Sequence, residues 1–143
     1  MNNARMLHAM VRVCDMKRSI DFYTRVMGMR VLRTFEQPAE KYSLAFVGYG
    51  DEADTCVLEL TFNWGVTEYD MGDAYGHIAI GVENCHQACA DIKARGGKIL
   101  REAGPLEGGE EIIGFVVDPD GYRIELVERP GDSRAYGGKF RRS

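Results

Sequence analysis

Two histidines and two glutamates hold matching places in this 143-residue chain, and side chains of these types can hold a metal. His8 sits at the head of HAMVRV and His77 at the head of HIAIGV, while Glu59 lies in VLELTF and Glu125 in YRIELV. All four segments read as short strands, in which residues i, i+2 and i+4 share a face. In Leu7–Val13 the apolar face is Leu7, Ala9, Val11 and Val13, and the opposite face carries His8, Met10 and Arg12. His77–Val82 repeats this, with Ile78, Ile80 and Val82 on one side and His77, Ala79 and Gly81 on the other. Leu58, Leu60 and Phe62 likewise oppose Val57, Glu59 and Thr61, and Ile124 and Leu126 oppose Arg123, Glu125 and Val127. Each first strand thus carries a histidine off its apolar face, and each last strand a glutamate. A carboxylate on a half-buried strand is costly unless paired or ligated. If two sheets close into a cup, the four side chains form an N₂O₂ set with room for water, suited to a divalent transition metal. Taken singly, each is an ordinary exposed strand polar or satisfied histidine; their equivalence in two copies carries the reading.

The elements that must position them come from an internal repeat. Residues 8–33 and 77–101 both run from a histidine through an apolar strand, a polar break and a helix-period segment to a glycine and a strand ending Leu-Arg. The histidines stand 69 residues apart and the arginines, Arg33 and Arg101, stand 68 apart, so the second copy lacks one residue. Each copy continues with two more strands, 42–48 and 56–62 in the first, 112–117 and 122–127 in the second, separated by turn residues. The pattern is β-α-β-β-β twice, an α+β fold, with a linker near 63–74. Helix 16–27 puts Ile20, Tyr23 and Met27 on one face for docking onto its sheet. His86 falls in the second helix and has no duplicated partner. Residues 129–143, basic and glycine-rich, read as a flexible tail, with contact to an anionic partner as the alternative.

Composition sets the outer limits. With 45% apolar and 28% charged residues the chain is an average globular domain. A net charge of −4 argues against a nucleic-acid binder. No apolar run approaches a membrane span, and no secretory apolar segment precedes the first strand, so a cytoplasmic location is expected. Cys14, Cys56, Cys85 and Cys89 form no C-x-x-C pair and read as reduced, partly buried thiols.

The stretches MLHAMVRV, SIDFYTRVMGM, YSLAFVGYG, VLELTFNWGV, AYGHIAIGV, REAGP and DPDGYRIEL resemble the short bacterial form of the glyoxalase I (lactoylglutathione lyase) family, in the vicinal-oxygen-chelate superfamily. The resemblance runs from about Met6 to Glu128. It implies one glyoxalase-type domain over 1–128 built of two repeats, about 6–63 and 75–128. It assigns the metal to His8, Glu59, His77 and Glu125, the residues that strand register selects on its own. It further implies a cytoplasmic homodimer with sites between subunits, Glu125 as deprotonating base and Glu59 as the matching carboxylate. The thiol glutathione would meet Arg12, Asn63 and Arg101. Leu44 and Phe46 would line the pocket at the reacting end, with His77 also facing the substrate. On the residues alone, Arg12 can equally be an exposed strand cation, Asn63 a turn former, and Leu44 and Phe46 core.

The implied reaction isomerises the hemithioacetal of methylglyoxal and glutathione to S-D-lactoylglutathione, by proton transfer through a metal-stabilised enediolate. Nickel or cobalt is the expected metal, with zinc second. Alternatives of the same architecture are a coenzyme-A-thioester epimerase, a ring-cleaving dioxygenase, which the second glutamate disfavours, and a non-catalytic ligand-binding protein. One stretch departs from the family. In REAGPLEGGEE, Glu107 stands where glutathione-using relatives commonly carry lysine, and Glu110 and Glu111 extend an acidic loop with Arg101 and Arg12 as the remaining cations nearby. Either the loop points into solvent, or it weakens glutathione binding and favours a less anionic thiol.

Overall fold

A computed structural model describes residues 1–129. The chain divides into two compact units, one from Met1 to Gly72 and one from Asp73 onward. In the first, strand β1 (His8–Arg12) leads into helix α1 (Met16–Asp21), a π-helical turn (Phe22–Val26), and strands β2 (Arg30–Gln37), β3 (Tyr42–Gly48) and β4 (Val57–Asn63). The second repeats the order with β5 (Ile78–Val82), α2 (Cys85–Ala94), β6 (Lys98–Pro105), β7 (Ile112–Val117) and β8 (Arg123–Glu128). The sheets have the same topology, β1-β4-β3-β2 and β5-β8-β7-β6, and neither closes on itself. In each, the first strand runs parallel to the last and the other neighbours are antiparallel. The β-α-β-β-β pattern is therefore present in both halves; most strand ends lie within a residue or two of those expected, but β2 and β6 run four residues past the Leu-Arg endings at Arg33 and Arg101. His77 lies one residue before β5.

The missing residue of the second copy has a location. Asp15 caps α1 by accepting from the Arg18 N–H at 3.0 Å, and Asn84 caps α2 by accepting from the Gln87 N–H at 2.8 Å. Gly28 and Gly96 follow the two helices with φ of +78° and +89°, which a side-chain-bearing residue adopts at a cost. The caps stand 69 residues apart and these glycines 68, so the spare residue lies inside the first helix. It widens one turn: the Met27 N–H bonds the Phe22 carbonyl five residues back at 2.9 Å. The expected single α-helix 16–27 is thus an α-helix finished by a π-turn, because a helix one residue too long must bulge to end at the same place.

The cores follow the apolar faces in part: Val57, Thr61 and Val127 of the opposite faces are buried as well, and Phe62, Ile78, Ile80 and Val82 are half-buried. Tyr23 and Met27 are buried beneath the sheet with Val11, Val13, Leu58 and Leu60, and Ile20 is half-buried. Leu7 is 57% exposed and Ala9 is exposed, against the expectation that both join the apolar face. Helix α1 rests on β3 and β4, and the start of the edge strand β1 lies beyond its cover. All four cysteines are free thiols. Cys85 and Cys89 are buried, Cys14 is half-buried and Cys56 is exposed. Burial pushes the Cys85 thiol up to about 12, so it stays protonated and inert at neutral pH. Of the basic segment 129–143, Arg129 is buried and the rest lies outside the described residues. No helix among the described residues is long and apolar enough to cross a membrane.

Candidate metal centre

Each unit brings one histidine and one glutamate together. In the first, β1 and β4 pair with Met10 opposite Glu59, which sets His8 and Glu59 on one face of adjacent strands. The His8 Nε2 lies 3.4 Å from the Glu59 Oε1. In the second unit β5 and β8 pair with Ala79 opposite Glu125, and the His77 Nε2 lies 3.8 Å from the Glu125 Oε1. Neither glutamate is fully buried: the side chains are 15% exposed for Glu59 and 21% for Glu125. An imidazole nitrogen and a carboxylate oxygen this close suit neighbouring positions around one ion, at metal–donor distances of about 2.0–2.2 Å. The donor set therefore fits a divalent metal, two donors per unit. No group of three or more such side chains assembles among the described residues.

Behind each pair the sheet repeats a row of side chains. Arg33, Phe46 and Glu59 lie opposite one another across β2, β3 and β4, and Arg101, Phe115 and Glu125 across β6, β7 and β8. Each arginine reaches the row through a bulge. Val31 pairs with Val47 and Arg33 with Phe46, leaving Leu32 unpaired; Ile99 pairs with Val116 and Arg101 with Phe115, leaving Leu100 unpaired. Without the extra residue, leucine would face Phe46 and Phe115, so the bulges re-aim the strand. Phe46 and Phe115 meet their histidines edge-on, with ring centroids 5.5 and 5.4 Å apart. The Arg33 guanidinium lies 3.7 Å from the Phe46 ring centre and grips Glu52 through two bonds of 2.8 and 3.1 Å. Arg101 instead donates to the Pro105 carbonyl at 2.9 Å, bracing the start of the acidic loop.

The remaining expected residues fall on the same face of the first sheet or on the second unit's loop. Arg12 is exposed and lies opposite Thr61. Leu44 pairs across from Thr61, half-buried, while Phe46 is 2% exposed yet turned toward His8. Asn63 ends β4, two residues beyond Thr61, and its carboxamide donates to the Tyr69 hydroxyl at 3.0 Å. Glu107 and Glu110 are exposed. Glu111 pairs with Arg129 at 2.8 Å, a cation that the sequence reading assigned to the tail. Arg33 and its partner Glu52 were also missed. The signal for Arg33 was the shared Leu-Arg ending of the two copies; Glu52, in a turn with no counterpart, had none.

Comparison with known proteins bears on the fold and the family. Residues 5–126 match the Glyoxalase/Bleomycin resistance protein/Dioxygenase superfamily, which defines the class. The chain is 58% identical over 133 residues to the lactoylglutathione lyase of Escherichia coli O157:H7, covering 93% of this chain and 98% of that one. It is 51% identical over 134 residues to the lactoylglutathione lyase of Neisseria meningitidis serogroup B, covering 92% and 97%. Among solved structures, glyoxalase I from Zea mays superposes with a TM-score of 0.86 at 47% identity over 89% of this chain, which spans 45% of the maize chain. The trypanothione-dependent glyoxalase I of Leishmania major superposes at 0.82 with 46% identity, covering 98% of this chain and 94% of that one. The chain belongs to the lactoylglutathione lyase (glyoxalase I) family of that superfamily.

Proposed function

We propose that this protein is a lactoylglutathione lyase that detoxifies methylglyoxal, isomerising its glutathione hemithioacetal to S-D-lactoylglutathione, with His8, Glu59, His77 and Glu125 holding one divalent metal. The observation that carries this is the pair of His–Glu contacts, one per unit, at equivalent strand positions. Each unit offers two donors, and a four-donor site needs both kinds of pair. We assign the site to a homodimer, with His8 and Glu59 from one chain and His77 and Glu125 from its partner. The metal, when bound, supplies Lewis-acid stabilisation for negative charge developing on the substrate oxygens; nickel or cobalt is assigned first and zinc second.

The chain's own residues do the rest. The Glu125 carboxylate takes the proton from the carbon bearing sulfur and hydroxyl, then returns it to the neighbouring carbon. Both histidines act as neutral donors, steadied by Phe46 and Phe115. Leu44 and Phe46 shield the reacting end, while Arg12, Asn63 and Arg101 receive the polar parts of the thiol. Four free cysteines agree with work in the reducing cytoplasm. Methylglyoxal and glutathione mixed with the protein should give thioester absorbance at a rate proportional to enzyme. No thioester, with turnover of a coenzyme-A thioester instead, would transfer the assignment to an epimerase.

The thiol itself is open to test at Glu107. Arg129 offsets the charge of Glu111, but Glu107 and Glu110 leave the loop acidic. Like charge near the glutathione carboxylates opposes binding by about 1 kcal/mol when solvent-exposed. Glu107→Lys should lower KM for the glutathione adduct several-fold with kcat little changed, because such a contact is equal in ground and transition states. An unchanged KM at low ionic strength, where screening is weakest, would leave Glu107 pointing into solvent and glutathione as the ordinary thiol.

A further inference from the structure

The two glutamates occupy equivalent places in their sheets, yet their surroundings differ: Met10 lies across from Glu59 where Ala79 lies across from Glu125, and the residue two places along each strand differs in its capacity to donate a hydrogen bond. Two residues along β4 from Glu59 stands Thr61, and two residues along β8 from Glu125 stands Val127. Both lie on the glutamate's face, since side chains alternate. Their ladder positions correspond, Thr61 flanked by Arg12 and Leu44 and Val127 by Gly81 and Ile113, and both are buried, 8% and 6% exposed. Threonine and valine have nearly the same shape, so what these two side chains offer differently to their glutamates is one hydroxyl. That hydroxyl is in use. The Thr61 Oγ1 donates to the Glu59 Oε2 at 2.8 Å, while the other carboxylate oxygen faces His8. Both oxygens of Glu59 therefore have a neighbour within the unit. Valine offers Glu125 no donor at the corresponding place.

We infer that Thr61 is a positioning residue that breaks the equivalence of the two carboxylates, holding Glu59 as a fixed metal ligand and leaving the mobile, proton-carrying role to Glu125. The inference rests on the proposed single site for His8, Glu59, His77 and Glu125. A carboxylate that shuttles a proton between two carbons must shift, and Glu59 can shift only by giving up a charge-assisted bond from a buried hydroxyl. Glu125 moves without that loss. An internal duplication yields two interchangeable carboxylates, and a Thr/Val difference suffices to give them separate work.

The test exchanges the two side chains in nickel-loaded enzyme and reads how strongly each glutamate is needed. In the parent chain, Glu125→Gln should cost far more kcat than Glu59→Gln at saturating metal. In a Thr61→Val background Glu59 is released to compete as base, and the loss caused by Glu125→Gln should shrink by about tenfold. Val127→Thr alone, which gives Glu125 the same restraint, should lower kcat by about tenfold with KM and melting temperature little changed. Metal affinity, measured by competition with a chelator, gives a reading independent of turnover. Thr61→Val should weaken it by about tenfold, in the range set by outer hydrogen bonds to ligating carboxylates, and Thr61→Ser should restore it. An unchanged Glu125→Gln loss in the Thr61→Val background, with metal affinity alike for Val and Ser, would reduce Thr61 to a core residue and overturn the inference. If the chelated parent protein kept full activity, the single-site reading would fail, and Thr61's role with it.

Discussion

Glu125→Gln should lower kcat by about 10²–10⁴-fold while leaving the protein folded, since that is the usual worth of a positioned general base. The amide keeps the size of the side chain and an oxygen that can face the metal, but it accepts no proton. Folding should survive because the Glu125 side chain is partly exposed and an amide oxygen can still face His77. His8, Glu59 and His77 remain, so metal binding weakens without vanishing, and the measurement belongs at saturating metal. Circular dichroism and a melting curve keep loss of fold apart from loss of chemistry. Near-normal turnover with metal bound would place the base elsewhere, with Glu59 the first residue to examine.

Mixing two inactive chains should restore activity. His8→Ala spoils the pair in the first unit, and Glu125→Gln spoils the pair in the second. In a mixed dimer, the intact first unit of one chain meets the intact second unit of the other, and one of two sites is whole. With free exchange of equal amounts, half the dimers are mixed and half their sites work, so about a quarter of the parent activity returns. Each variant alone stays near its own floor. Absence of recovery after exchange is verified by mass, or a fully active monomer at assay dilution, would refute a shared site.

Much of this architecture is legible in the sequence because the chain repeats itself. A single strand with one histidine says little, but His8 and His77, and Glu59 and Glu125, fix strand register twice over, and the sheets pair as that register requires. The same comparison shows that one copy is a residue longer, yet only backbone hydrogen bonds reveal that the surplus is spent in a π-turn ending at Met27. Periodicity assigns Leu7 and Ala9 to the core because it sees the strand and not the extent of the helix above it. Arg33 escaped because strict alternation carries no sign of a bulge, and the bulge at Leu32 is what turns Arg33 toward Phe46. Arg129 escaped because composition blended it into a basic tail, whereas its pairing with Glu111 joins two segments distant in sequence. Thr61 escaped for a different reason. A threonine among strand residues is unremarkable until its hydroxyl is seen on Glu59.

The central claim is that two His–Glu pairs make one metal site that the reaction requires. Its most direct test is a nickel titration of chelator-stripped protein, following thioester formation from methylglyoxal and glutathione. The stripped protein should be inactive, and activity should rise linearly and stop at one metal per chain, two per dimer, with cobalt equivalent or nearly so and zinc poorer. Full activity without metal, or a plateau at two metals per chain showing that each pair binds its own ion, would contradict the account.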